Sequence, residues 1–222
     1  MRDIKGKIAW VTGAGTGIGE AAAKALSAEG AIVILTGRRK EPLEKVAAVI
    51  KQAGGKASIH SGDLGKAASV KRIVEAIMAE HGRIDIVINN AGTNVPNRWW
   101  RNLTLEGIDT LVAGNLQSAI SVTHAVLPLL RAQRDGQSIH TSSMPGRNIG
   151  MVSGPIYTAT KPGVVAMSHT THVEESQTGI RPTDLLPGQV ATEIMQFRAR
   201  PELPEPLAKM VQTAAMGTDI AL

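Results

Sequence analysis

Residues 11–26 read VTGAGTGIGEAAAKAL, and this stretch sets the frame for the whole chain. The apolar run KIAWV at 7–11 leads into it, and an Ala-rich segment with helical character leads out. Gly13, Gly17 and Gly19 therefore fall where a strand turns into a helix, with Thr16 and Ile18 beside them. Glycine at such a turn lets the backbone bend sharply and approach a ligand. The helix that follows aims unpaired N–H groups and its positive dipole end at an anion. The segment reads as a cradle for the phosphates of a cofactor, and with no lysine after the glycines it does not read as a triphosphate P-loop.

The same alternation repeats outward. AIVIL (31–35), KASIH (56–60), IDIVI (84–88) and QSIHT (137–141) are short and rich in β-branched residues. Several are apolar almost throughout, as expected of strands covered on both faces. Between them GIGEAAAKALSAEG, KEPLEKVAAVIKQAGG, ASVKRIVEAIMAEHG and NLQSAISVTHAVLPLLRAQ carry helical spacing, and the first three end on glycine. Strand and helix joined by short connections predict right-handed βαβ units. The expected fold is α/β, a doubly wound Rossmann-type parallel sheet with helices on both faces. With no linker, charge block or repeat, residues 1–222 are expected to form one domain.

Of the 222 residues 43% are hydrophobic and 19% charged, enough apolar surface for one core. The absence of cysteine excludes disulfides, thiolate nucleophiles and cysteine-ligated metals, and suits a reducing cytoplasm. MRDIKGKIAWVTG has no secretion signal, and apolar stretches such as HAVLPLL fall short of the roughly 20 residues of a membrane span. A soluble, cytoplasmic protein with no membrane partner is expected. The net charge of +5 is scattered and aromatic residues are few, which argues against nucleic acid; a basic face for a phosphorylated cofactor accounts for the excess. His169 and His172 stand three apart without a third ligand, so no metal site is expected.

The glycine spacing is G-x-x-x-G-x-G, not G-x-G-x-x-G. Together with NNAG at 89–92 and YTATK at 157–161, it resembles the short-chain dehydrogenase/reductase family. The resemblance continues in family order through Asp63, Asn115, Ser143 and PGQVAT at 187–192. Tyr157 and Lys161, four apart on a predicted helix, share one face, so the ammonium lies near the phenol. A free phenol ionises near pH ~10, and a neighbouring cation favours its ionised form. The resemblance implies that Tyr157 passes a proton to or from the substrate oxygen while hydride moves to or from a nicotinamide, and that Lys161 also holds the nicotinamide ribose. Ser143 matches the serine that hydrogen-bonds the substrate oxygen. Ser142 competes with it, because the spacing to Tyr157 is one residue longer than usual. Asn115 matches an asparagine that supports the proton relay; taken alone, at the opening of NLQSAIS, it reads as a helix cap.

Cofactor choice turns on ILTGRRK, the end of the second strand. Family members that prefer NAD carry an acid where Gly37 stands. Arg38 and Arg39 suit a 2′-phosphate instead, so NADP(H) is favoured and NAD(H) remains possible; two solvated loop arginines are the alternative. By the same resemblance Asp63 contacts adenine, with Leu64 next to it, and the NNAG residues Asn89, Asn90, Ala91 and Gly92 line the floor. Pro187, Gly188, Val190 and Thr192 form the loop that holds the carboxamide and the adjoining phosphate. EIMQFRARPELPEP follows as a substrate lid at about 190–210. Met195, Phe197, Trp99, Trp100, Met144 and Met151 are candidates for an apolar wall or for ordinary packing. Arg98, Arg101, Arg147 and Arg198 face an anionic substrate or simply solvent.

Three features depart from the family pattern. Pro162 falls inside the predicted catalytic helix, where a proline typically costs ~3 kcal/mol. Pro182 and Asp184 occupy a predicted sixth strand, GIRPTDLLPG, where a central parallel strand tolerates neither well. The chain ends at GTDIAL, in the helix before the family's last strand, so that strand is expected to be missing. The expected function is hydride transfer between NADP(H) and a small carbonyl or secondary alcohol substrate, by a homodimer with a tetramer left open. The alternatives are a dinucleotide-binding regulatory or scaffold protein with little turnover, and an epimerase or dehydratase on the same fold.

Overall fold

The strand β1 (Ile8–Thr12) is buried along its whole length and is flanked in parallel by β2 (Ile32–Thr36) and β4 (Ile86–Asn89). The structure is a computed structural model describing residues 3–148 and 153–194. With β3 (Lys56–Ile59), β5 (Gly136–Thr141) and β6 (Ile180–Leu185) the described residues form a sheet of six parallel strands in the order β3-β2-β1-β4-β5-β6. The chain thus grows one way from β1 and then reverses at β4. Ligands of open α/β sheets bind at that reversal, beyond the carboxyl ends of the strands.

Helices α1 (Gly17–Ala28), α2 (Lys40–Gln52), α3 (Ala67–His81), α4 (Leu105–Val112), α5 (Ser118–Gln133) and α6 (Pro155–Glu174) connect the strands. Alternation along β1 explains its unbroken apolar run: Ala9 and Val11 enter one core with Val33, Leu43 and Ile50, while Ile8 and Trp10 enter the opposite core with Ile73, Val126 and Leu130. Full burial of each such isoleucine or leucine contributes roughly 1.5–3 kcal/mol. The Trp10 indole is satisfied in this core by donating to Thr36 Oγ1 at 2.9 Å. α3 stops at Gly82, whose φ of 70° carries the backbone into the left-handed region and whose N–H closes on the Met78 carbonyl.

At the amino ends of the strands, buried Asp85 accepts from the Ile8 amide at 2.9 Å, from Arg83, and from Lys7 at 3.3 Å. Burial alone would raise its pKa; Arg83, the Ile8 amide and Lys7 outweigh that and hold it below the usual carboxylate range.

Both prolines of the departures are accommodated. α6 runs unbroken through Pro162, whose ring is exposed, and the turn around it is braced by side chains: the Thr160 hydroxyl donates to the Tyr157 carbonyl at 2.8 Å and Ser142 Oγ to the Lys161 carbonyl at 2.9 Å. Pro182 lies on β6, the terminal strand among the described residues rather than a central one, where a missing ladder donor is tolerated. Asp184 is partnered through one oxygen, its Oδ2 lying 2.9 Å from His169 Nε2, while its buried Oδ1 has no hydrogen-bond partner among the described residues. The expectation of a missing last strand falls on residues 195–222, outside those described. Among the described residues no helix is long and apolar enough to cross a membrane.

Candidate active site

The glycines after β1 are fitted to their neighbours. Gly13 (φ 63°) and Gly17 (φ 58°) both need the left-handed backbone. A β-carbon on Gly13 would sit 2.9 Å from Ala91 Cα, and one on Gly17 would meet the Thr192 methyl at 2.9 Å. Gly19 serves packing: a β-carbon there would overlap the Gly13 carbonyl oxygen, so α1 could not lie this close to the turn.

Thr12 at the end of β1 organises the end of β4. Its hydroxyl donates to the Ile88 carbonyl at 3.0 Å and accepts from the amides of Asn90 and Ala91 at 2.9 and 3.0 Å. Asn90 Nδ2 returns to the carbonyls of Thr12 and Gly13. Asn90, Ala91 and Gly92 line the cleft, and Asn89 does not. The expectation for Asn89 is corrected by strand alternation: its amide is turned beneath the sheet, where it donates to Thr123 Oγ1 at 3.2 Å and reaches His140 Nδ1 at 3.4 Å. Thr12 is not singled out by the sequence; a lone hydroxyl ending a buried apolar strand is the available signal.

The expected catalytic residues converge on the same cleft. Ser143, Tyr157, Lys161 and Asn115 all line it, and all are buried. α6 places Tyr157 and Lys161 one turn apart, with Nζ 5.5 Å from the centroid of the phenol ring. Lys161 Nζ donates to the Thr141 carbonyl at 2.9 Å. Asn115 is no helix cap: Thr104 caps this helix, accepting from Gly107 N at 3.0 Å. Asn115 lies instead in a π-helical turn, Ala113–Gln117, that joins α4 to α5 without a break. Its side chain clamps Thr93, accepting from the amide at 2.8 Å and donating to the carbonyl at 3.0 Å. A β-carbon on Gly92 would be 2.9 Å from Asn115 Oδ1 and 3.5 Å from Lys161 Nζ, so the glycine leaves these two groups side by side. Of the two serines, Ser142 is committed to the Lys161 carbonyl, which leaves Ser143 as the better-placed hydroxyl.

From this centre a cleft of about 1030 Å³ runs across the glycine turn to the end of β2. Thr16, Gly17 and Ile18 line its middle, and Gly37, Arg38, Arg39, Asp63 and Leu64 its far end. Asp63 Oδ1 accepts from the Gly65 amide at 3.1 Å, which fixes that turn. Pro187, Gly188, Val190 and Thr192 form the opposite wall. A narrow glycine cradle midway along an extended cleft, with guanidinium groups at one end, fits a dinucleotide.

Beneath the site, His140 is fully buried between Asn89 and Ser138, whose hydroxyl is 2.9 Å from its Nε2. Burial pushes its pKa down to about 4, against the pull of nearby Asp184, so the ring is neutral at pH 7. Among the described residues no cluster of metal-binding groups occurs, and His169 is engaged by Asp184. Arg98 is not at the surface: it is buried, with its guanidinium carbon 5.8 Å from the centroid of the Trp99 ring. Trp100 and Met144 are exposed, while Met151, Met195, Phe197, Arg198 and the expected lid from residue 195 onward lie outside the described residues.

Residues 7–202 match the short chain dehydrogenase family. An uncharacterized oxidoreductase of Staphylococcus epidermidis is 33% identical over 196 residues, covering 88% of this chain and 83% of the relative. Among solved structures, a metagenomic short-chain oxidoreductase in complex with NADP is 30% identical with a TM-score of 0.78, covering all of this chain and 95% of that one. Levodione reductase is 30% identical with a TM-score of 0.84, covering 93% of this chain and 82% of that one. The reversal point, the glycine cradle and these matches agree: the chain belongs to the short-chain dehydrogenase/reductase family of NAD(P)-dependent oxidoreductases.

Proposed function

We propose that the protein interconverts a small carbonyl compound and the corresponding secondary alcohol with NADP(H), and that Tyr157 is the acid/base. The observation that carries this reading is the meeting of Ser143, Tyr157 and Lys161 at one end of a cleft whose other end presents Arg38 and Arg39. The bound nicotinamide supplies the hydride in reduction and accepts it in oxidation. In reduction the Tyr157 hydroxyl gives its proton to the substrate oxygen while the Ser143 hydroxyl donates a hydrogen bond to the same atom. The Lys161 ammonium, held by the Thr141 carbonyl, places positive charge beside the phenol and favours the negative charge left on Tyr157 in the transition state. Asn115 holds both backbone groups of Thr93 and so keeps this part of the wall in place. The NADP complex of the metagenomic relative supports the cofactor class. Gly37 in place of an acid and the paired arginines support NADP(H) over NAD(H).

The test is loss of NADPH absorbance with a panel of ketones and aldehydes. Turnover is expected with the native protein, and Tyr157→Phe is expected to lower kcat by roughly 100- to 10,000-fold with NADPH affinity retained. Unchanged turnover in Tyr157→Phe would remove the assignment. Tight NADPH binding with no turnover on any carbonyl would favour the dinucleotide-binding regulatory reading.

A further inference from the structure

Arg39 and Glu193 are 154 residues apart in sequence, yet Arg39 Nη2 lies 2.9 Å from Glu193 Oε2. Both side chains line the cleft described above, at its β2 end, and both remain substantially exposed at 67% and 49%. The neighbouring residue explains how Glu193 gets there. Thr192 packs against Gly17, so the loop after β6 is drawn across the glycine turn, and the next side chain reaches the start of α2. The pair thus bridges the two walls of the cleft where the end of β2 presents its arginines.

We propose that Glu193 is a cofactor-specificity residue whose carboxylate competes with a 2′-phosphate for Arg39. The inference rests on the reading that NADP(H) occupies this cleft. A guanidinium edge engaged by a carboxylate is withheld from a phosphate, and a carboxylate left next to a phosphate dianion repels it. A 2′-hydroxyl meets neither obstacle, because a carboxylate accepts a hydrogen bond from a hydroxyl. Glu193 therefore narrows the preference for the phosphorylated cofactor that Arg38 and Arg39 create.

The pair is exposed, so the expected effect is moderate and depends on salt. Calorimetric titration of the native protein, Glu193→Gln, Arg39→Gln and the double variant with NADP+, NAD+, adenosine 2′,5′-bisphosphate and ADP tests it. Glu193→Gln is expected to tighten NADP+ and the bisphosphate roughly three- to tenfold, to leave NAD+ and ADP within about twofold, and to lose most of this gain in the Arg39→Gln background, where only the direct repulsion is relieved. An unchanged ratio of NADP+ to NAD+ affinity overturns the proposal. So does an equal gain without Arg39, which would make Glu193 a general repulsive charge. If the native protein binds neither dinucleotide, the proposed function fails together with this inference; if it binds them and the ratio does not move, the inference alone fails.

Discussion

Lys161 Nζ donates to the Thr141 carbonyl at 2.9 Å, so a single buried ammonium joins the middle of α6 to the last residue of β5. A lysine this buried requires such a partner, and the partner fixes where its charge sits relative to Tyr157. Lys161→Met keeps the aliphatic stem and removes the charge. We expect kcat/KM to fall at least about 100-fold and the protein to lose roughly 1–3 kcal/mol of stability. Steady-state kinetics and urea unfolding check the two effects separately.

Gly19 has a purely steric role. Gly19→Ala forces a methyl into the Gly13 carbonyl, and a backbone atom cannot swing away. The expected result is destabilisation by more than about 2 kcal/mol and loss of dinucleotide affinity. Gly37→Ala is the control, because a β-carbon there makes only ordinary contact with Leu43 at 3.5 Å; its melting temperature should stay close to that of the native protein.

Thr12→Val preserves shape and deletes the hydroxyl that two amides donate to. Ala91 N loses its acceptor while Asn90 N keeps the Ile88 carbonyl at 3.0 Å, so stability should drop by roughly 1–3 kcal/mol, whereas Thr12→Ser should recover most of it. Denaturant unfolding of the three proteins decides this.

His140 makes stability depend on pH. In the fold it takes a proton only near pH 4, while an unperturbed histidine ionises at 6.5. Between those values the unfolded chain binds the proton and the folded one does not, so acid favours unfolding. The stabilisation from the neutral ring is complete above pH 6.5 and is lost progressively toward pH 4, by up to roughly 3 kcal/mol. His140→Asn should flatten this part of the profile; urea midpoints of the two proteins at neutral and mildly acidic pH measure the difference.

Much of this molecule can be read from local pattern. Each strand expected from a β-branched run appears within about two residues of its expected position, because a parallel sheet covered on both faces leaves a continuous apolar signature. The glycine turn and the Tyr157–Lys161 spacing were equally legible, since both depend on short-range geometry. What sequence could not reveal depends on long-range placement. The acceptor for Lys161 is a main-chain carbonyl, which has no side-chain identity, and the Arg39–Glu193 pair joins opposite walls of the cleft. Asn89 and Asn90 are the same residue type, and only the strand register separates the one under the sheet from the one in the cleft. Pro182 looks out of place in a central strand, and among the described residues β6 is the terminal one.

The π-helical turn at Ala113–Gln117 works as a phase shifter. Upstream, Asp109 and Thr110 of α4 look into the cleft; downstream, Val122, Val126 and Leu130 of α5 lock into the sheet. Each residue of an α-helix advances by about 100°, so one residue removed from the turn would leave a regular helix whose two halves no longer match their surroundings. Either the apolar stripe would rotate off the sheet, or Asn115 would swing away from Thr93. A single surplus residue thus lets one continuous helix serve two masters, the chemistry at its start and the core along its length.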